Sequence, residues 1–221
     1  MDLSGLYANR FDEADQAWKV QVWGVLWRRV FSREVSPEDT LLDVGAGYCE
    51  FINSAVAKRR IAVDLNPDTG ARAAPGVEVH RVPAEQLGFL ETGAVDVAFS
   101  SNFFEHLPSK AALTALLQEL NRVVKPGGKL IVMGPNVRLL PGAYWDFYDH
   151  HLPLSERSVS ELLSMTGFEP VRVEARFMPY TAKGSGLRWP FLVDAYLALR
   201  PLSSALMGKQ FLVVARRRPA P

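Results

Sequence analysis

The chain has 221 residues, of which 48% are hydrophobic and 22% charged, and its formal net charge is +1. Such a length and composition describe a globular protein with one sizeable core and room for an inserted cap. So even a charge balance offers no basic face, and no nucleic-acid partner is expected. Cys49 is the single cysteine, which excludes an internal disulfide framework and fits a reducing cytoplasm. Asp2, Arg10, Asp12 and Glu13 interrupt any apolar run near the start, so neither a signal peptide nor a membrane span is expected and the chain reads as cytoplasmic.

In chain order, residues 1–35 read as a helical cap. Phe11, Ala14, Trp18, Val22 and Val25 recur at helical spacing, and Trp23, Leu26, Trp27 and Val30 widen the stripe,. An aromatic stripe of this kind is expected to pack on the domain rather than lie on a membrane. Ser36-Pro37-Glu38-Asp39 breaks the helix,. From Thr40 onward, strands at 40–44, 61–65, 77–82, 95–100 and 128–134 alternate with helices near 49–59, 67–73 and 109–125,. The last of these helices carries Leu113, Leu116, Leu117, Leu120 and Val124 on one face, and Lys125-Pro126-Gly127-Gly128 stops it,. Alternation predicts an α/β domain (36–221) with a parallel sheet covered on both faces. An aromatic-rich insertion at 135–153 suspends the pattern. Ser155 then reads as the N-cap of a helix bearing Val159, Leu162, Leu163 and Thr166, closed by Gly167,. Strands at 168–177 and 210–216 complete a seven-stranded mixed sheet, and the insertion between them (178–208) contains an apolar helix around Phe191–Leu206. Arg216-Arg217-Arg218 reads as a solvated end.

The densest signal is Leu41-Leu42-Asp43-Val44-Gly45-Ala46-Gly47-Tyr48-Cys49-Glu50, followed by Ile61-Ala62-Val63-Asp64-Leu65. A buried strand entering a glycine turn lets the backbone approach a ligand, and an acid at the next strand tip can hold two ribose hydroxyls. That is a pocket for an adenosine-bearing cofactor. A nicotinamide-dependent reductase would prefer glycine where Glu50 stands, because a carboxylate there repels a pyrophosphate on the helix N-terminus,. S-adenosylmethionine carries no phosphate and removes the conflict.

The chain resembles a class I S-adenosylmethionine-dependent methyltransferase of the type 11 group across residues 37–177. Asp43-Val44-Gly45-Ala46-Gly47 is similar to that group's first motif and Val63-Asp64 to its second. Ala84-Glu85-Gln86-Leu87, Asn102-Phe103-Phe104-Glu105-His106-Leu107 and Leu120-Asn121-Arg122-Val123-Val124-Lys125-Pro126-Gly127-Gly128 follow in the group's order. The resemblance implies a Rossmann-like doubly wound sheet and S-adenosylmethionine as cofactor. It implies that Gly45, Ala46 and Gly47 line the methionine moiety with Asp43 near its amino group, and that Asp64 holds the ribose. Leu65 would pack on the adenine, Ala84 and Glu85 would meet its polar edge, and Ser101 and Asn102 would lie under the sulfonium. The chain departs from the group at Cys49, where a third glycine is frequent, and at Pro83, where an aspartate usually contacts the adenine amino group.

Methyl transfer is an in-line displacement from a good leaving group, so positioning of the acceptor supplies most of the catalysis. A hydroxyl or neutral amine acceptor also gains from a general base. The candidate bases are His106, His150 and His151, the latter two in an aromatic loop beyond the fifth strand, where an acceptor should sit,. Tyr7 and Arg10 are candidate lid residues, Gly184-Ser185-Gly186 a candidate hinge, and Tyr144 to Tyr148, Met178, Tyr180 and Trp189 a candidate acceptor wall or additional core,. No metal is assigned. The expected activity is methylation of a small-molecule, glycan or lipid-linked acceptor, and the rival reading is a non-catalytic cofactor-binding subunit that steadies a partner enzyme.

Overall fold

The computed structural model describes residues 13–180 and 189–219, with side chains described from residue 17. Tyr7, Arg10 and the Gly184-Ser185-Gly186 hinge lie outside the described residues. Helix α1 (Glu13–Arg29) runs into a short 3-10 turn (Phe31–Arg33). Strands β1 (Thr40–Val44), β2 (Arg59–Val63), β3 (Val77–His80), β4 (Val95–Ser101) and β5 (Val124–Pro135) then alternate with α2 (Glu50–Ser54), α3 (Thr69–Arg72) and α4 (Lys110–Val123). Helix α5 (Glu156–Met165), β6 (Phe168–Glu174), α6 (Pro190–Ala198), α7 (Leu202–Met207) and β7 (Gln210–Arg217) complete the order. The strands form one sheet in the order β3-β2-β1-β4-β5-β7-β6. β7 is antiparallel to both of its neighbours and the other pairings are parallel. The expected α/β class and seven-stranded mixed sheet are therefore present.

Two core clusters cover the two faces, and the period-two geometry of a strand decides which residue joins which. In β5, Leu130 and Val132 join the core that contains the buried leucines of α4, while Ile131 and Met133 join the core under α1. In β1, Leu42 and Leu41 divide the same way. Both faces of these strands are apolar, so they read as continuous hydrophobic runs. Helix α1 is anchored by aromatics. Phe51 stacks on Phe99 with centroids 3.6 Å apart, and Trp23 and Phe31 pack edge-on against Phe99 at 5.9 and 5.2 Å. The guanidinium of Arg29 also donates to Asp194 at 2.7 Å, which ties α1 to α6. The described part of the expected cap, from Glu13 onward, thus packs on the sheet and on α6. Among the described residues, no helix is long and apolar enough to cross a membrane.

Several boundaries differ from expectation. The helix expected over 49–59 is only Glu50–Ser54, because Ala55 is extended and β2 starts early, at Arg59. The strand expected over 61–65 therefore ends at Val63, leaving Asp64 just beyond its tip. The helix stop at Lys125-Pro126-Gly127-Gly128 becomes an irregularity within β5, where pairing jumps from Val95 with Val124 to Val97 with Lys129. The apolar helix expected around Phe191–Leu206 is two helices divided at Arg200-Pro201. Ser155 caps α5 as expected, its hydroxyl accepting from Ser158 N–H while Ser158 reciprocates,.

Candidate functional site

The sheet order reverses between β1 and β4, and ligands of open α/β sheets sit at such a switch point, beyond the carboxyl ends of the strands,. The chain turns there at Gly45 (φ +74°) and Gly47 (φ +53°), both in the left-handed region that glycine tolerates,. A Cβ on Gly45 would lie 2.2 Å from Cγ of Phe103, so this position needs hydrogen as its side chain. Cys49, where the type 11 group often has glycine, is itself left-handed (φ +64°) and fully buried.

A cavity of about 230 Å³ opens against this turn. Of the residues assigned from sequence, Asp43, Gly45, Ala46, Gly47, Ser101, Asn102 and His106 line it. Its remaining walls are Phe51, Phe99, Tyr48 and Glu50 together with Lys19 and Trp23 from α1. Lys19, whose ammonium lies 3.7 Å from Glu50, is a wall residue later in the chain than the lid candidates Tyr7 and Arg10. A polar residue one turn before Trp23 on the buried stripe is its signal in the sequence.

The cavity is acidic. Asp43 is buried, and desolvation first, then the charges of Asp64 and Glu50, hold its carboxyl well above the usual carboxylate range,. Burial and the same acids push the Cys49 thiol up to about 12. A cationic ligand suits this field.

Asp64 lies beside the cavity, not in its lining. Its Oδ2 accepts the Gly47 N–H at 2.7 Å and its Oδ1 the Asn66 N–H at 2.8 Å. An ionised carboxylate offers about four acceptor sites, so two remain. Leu65 follows, 47% exposed, as an open apolar surface. Ala84 turns its methyl into the core with Leu87 and Leu90, leaving only its backbone for a ligand. Glu85 is half-buried and outside the cavity lining. The cavity therefore encloses the methionine end of the expected site, and the expected adenosine end is open surface.

The three histidines separate. His106 lines the cavity, and its Nδ1 lies 3.1 Å from both Oδ2 and the backbone oxygen of Asp149. Both are acceptors when Asp149 is ionised, and in a neutral ring that arrangement favours the tautomer with the proton on Nδ1,. Nε2 lies 4.0 Å from Oε1 of Glu105. His150 is buried against His106 and Tyr144, with ring centroids 4.9 and 4.8 Å away. His151 is exposed, outside the cavity lining; its contribution is a backbone N–H donated to the Glu105 carbonyl at 2.8 Å. Glu105 is buried, which pushes its carboxyl up to about 8, with the Asp149 charge adding. Glu105, His106 and His150 bring one ligand atom each within 4.8 Å of one another, a cluster that the sequence reading did not assemble.

Within the aromatic loop, Tyr144 is fully buried core, and its hydroxyl bridges Leu152 O and Leu154 N–H. Phe147 stacks on His150 and meets Tyr180 edge-on, while Trp145 and Tyr148 are exposed. Met178 is buried and Trp189 exposed. The expected wall is therefore divided between core and surface.

Comparison with known proteins agrees with this geometry. The methyltransferase domain family matches residues 42–132. A methyltransferase of Mycobacterium sp. (strain JLS) is 31% identical over 169 residues, 73% of this chain and 64% of that protein. A methyltransferase of Mycobacterium sp. (strain KMS) is 30% identical over 168 residues, with the same coverage. The chain thus spans 64% of the length of these curated relatives. The structure of a SAM-dependent methyltransferase from Archaeoglobus fulgidus superposes with a TM-score of 0.67 at 19% identity, covering 98% of this chain and 100% of that one. A SAM-dependent methyltransferase from Mesorhizobium loti gives 0.61 at 18% identity, covering 87% and 98%. A chain from the complex of the Haloferax volcanii Trm112 methyltransferase activator gives 0.71 at 15% identity, covering 99% of each. With the glycine turn, the acidic cavity and the strand order in place, residues 42–132 match the methyltransferase domain family, and the chain is similar to class I S-adenosylmethionine-dependent methyltransferases, whose fold it shares.

Proposed function

We propose that the chain transfers a methyl group from S-adenosylmethionine to a hydroxyl-bearing small molecule, glycan or lipid-linked acceptor. The observation that carries this reading is His106, which stands in the wall of the cavity that holds the glycine turn and has its Nδ1 fixed by Asp149. In this reading Gly45, Ala46 and Gly47 bind the methionine moiety, Asp43 its ammonium, and Asp64 the ribose hydroxyls. Leu65 and the backbone at Ala84 and Glu85 take the adenine, while Ser101 and Asn102 lie under the sulfonium. The acceptor enters from the side of the insertions at 135–153 and 178–208. Its oxygen attacks the methyl carbon, the C–S bond breaks, S-adenosylhomocysteine leaves, and the hydroxyl proton passes to Nε2 of His106. His150 supports His106, and His151 takes no part in the chemistry.

The test is methyl transfer from labelled donor to a panel of phenols, sugars and lipid-linked sugars. His106→Ala should slow turnover about 10²- to 10⁴-fold, the range for a general base, with homocysteine-product affinity little changed. His151→Ala should match the wild type. Tight donor binding without transfer to any acceptor would favour the non-catalytic subunit instead.

A further inference from the structure

Glu105 is an unusual residue to find where it is. Its carboxyl group is buried in the short 3-10 turn after β4, with the imidazole of His106 beside it and the charge of Asp149 acting on it. A desolvated carboxylate is costly unless it is paired with a cation, hydrogen-bonded or bound to a metal. Two imidazoles approach it. Nε2 of His106 lies 4.0 Å from Oε1 of Glu105, and His150 offers a third ligand atom within 4.8 Å of the others. The opposite edge of His106 is held by Asp149 at 3.1 Å, so Nε2 is the ring nitrogen on the Glu105 side. A carboxylate that orients a histidine from behind is the usual outer support of a metal-ligating imidazole.

We infer that Glu105, His106 and His150 form a binding site for a divalent transition-metal ion at the wall of the donor cavity. Two imidazoles and one carboxylate suit zinc, cobalt, iron or manganese rather than calcium, which takes oxygen ligands. Three protein ligands leave a position open, and because His106 lines the cavity that position faces the acceptor. The inference rests on the methyl-transfer reading for what the ion does, though not for its binding. With the ion bound, Nε2 of His106 would be a ligand and the ion would acidify an acceptor oxygen on the open position, the proton passing to solvent; without it, Nε2 takes the proton as proposed above. The C–O bond formed and the C–S bond broken are unchanged.

The experiment uses the full chain, stripped with chelator and titrated with Co²⁺ as an optical probe, then with Zn²⁺ in competition. Wild-type protein should develop the visible bands of a Co²⁺ site of low coordination number, saturating at one ion per chain and displaced by Zn²⁺. Glu105→Gln, nearly isosteric, and His150→Gln should each bind Co²⁺ at least about tenfold more weakly, a loss no smaller than that from removing an outer-shell support. Calorimetric titration with S-adenosylhomocysteine on the same samples shows that each variant is folded. Absence of Co²⁺ bands in wild-type protein that binds S-adenosylhomocysteine would overturn the metal site and leave the donor pocket standing. Equal Co²⁺ affinity in folded variants would place the ion elsewhere and overturn it too. A chain that binds Co²⁺ through these residues yet no S-adenosylhomocysteine would keep the site and defeat the methyl-transfer reading.

Discussion

Replacing Asp64 separates the turn contacts of this carboxylate from the ribose contact proposed for it. It already holds the glycine turn through Gly47 N–H at 2.7 Å and its own loop through Asn66 N–H at 2.8 Å, with two acceptor positions left for ribose hydroxyls,. Hydrogen bonds to a charged group contribute about 1.5–3 kcal/mol, so Asp64→Ala should weaken S-adenosylhomocysteine binding roughly ten- to 150-fold. Asp64 is half-buried, and water can reach the two released N–H groups. Loss of about 1 kcal/mol from the turn should lower Tm by about 2–4 °C. Affinity alone would not tell ribose contact from a loosened turn, so calorimetry should compare S-adenosylhomocysteine with its 2′-deoxy analogue in both proteins. The wild type should penalise the analogue about tenfold or more, and the variant hardly at all, because the partner of the missing hydroxyl is already gone. An equal penalty in the two proteins would show that Asp64 clips the turn without touching ribose, and the pocket assignment would fail there.

Other expectations concern the same turn. Gly45→Ala forces a left-handed alanine, at about 1–2 kcal/mol, and drives a methyl into the Phe103 ring; calorimetric unfolding should show a lower Tm, and an unchanged Tm would mean the turn is not as described. Burial and two neighbouring acids raise Asp43 in the free protein, so its protonated form is favoured by folding and that contribution to stability fades as pH rises through the raised value. An ammonium placed beside Asp43 reverses the bias: donor binding should release a proton and tighten as pH rises through the raised value, seen as buffer-dependent heats, whereas pH-independent affinity would move the amino group elsewhere. Cys49, buried and pushed up to about 12, should resist thiol reagents at pH 8 until the chain unfolds, and rapid labelling of folded protein would contradict its burial.

The parts legible in the sequence are those set by short-range physics. Apolar strand runs, the leucine face of α4, the Ser155 cap and the Gly45–Gly47 turn each depend on residues a few positions apart, and each is where the pattern puts it. Length is harder, since α2 ends after Ser54 although nothing in Phe51–Lys58 forbids more helix. Long-range placement is the least legible. Asp149 reaches His106 across 43 positions, a pairing that no local pattern in the sequence marks. Lys19 joins the cavity only because aromatic packing of Trp23, Phe51 and Phe99 fixes where α1 lies. His151 illustrates the converse: adjacent to His150 in the aromatic loop, it is exposed and outside the cavity lining, and its backbone N–H is committed to the Glu105 carbonyl.

The central claim is that the turn after β1 holds S-adenosylmethionine with its methyl group facing His106, and a crystal structure with S-adenosylhomocysteine bound tests it most directly. The account predicts the homocysteine along Gly45–Gly47, its ammonium near Asp43, both ribose hydroxyls on Asp64, and the sulfur facing Ser101, Asn102 and His106. Ribose density away from Asp64, or sulfur turned away from His106, would contradict it.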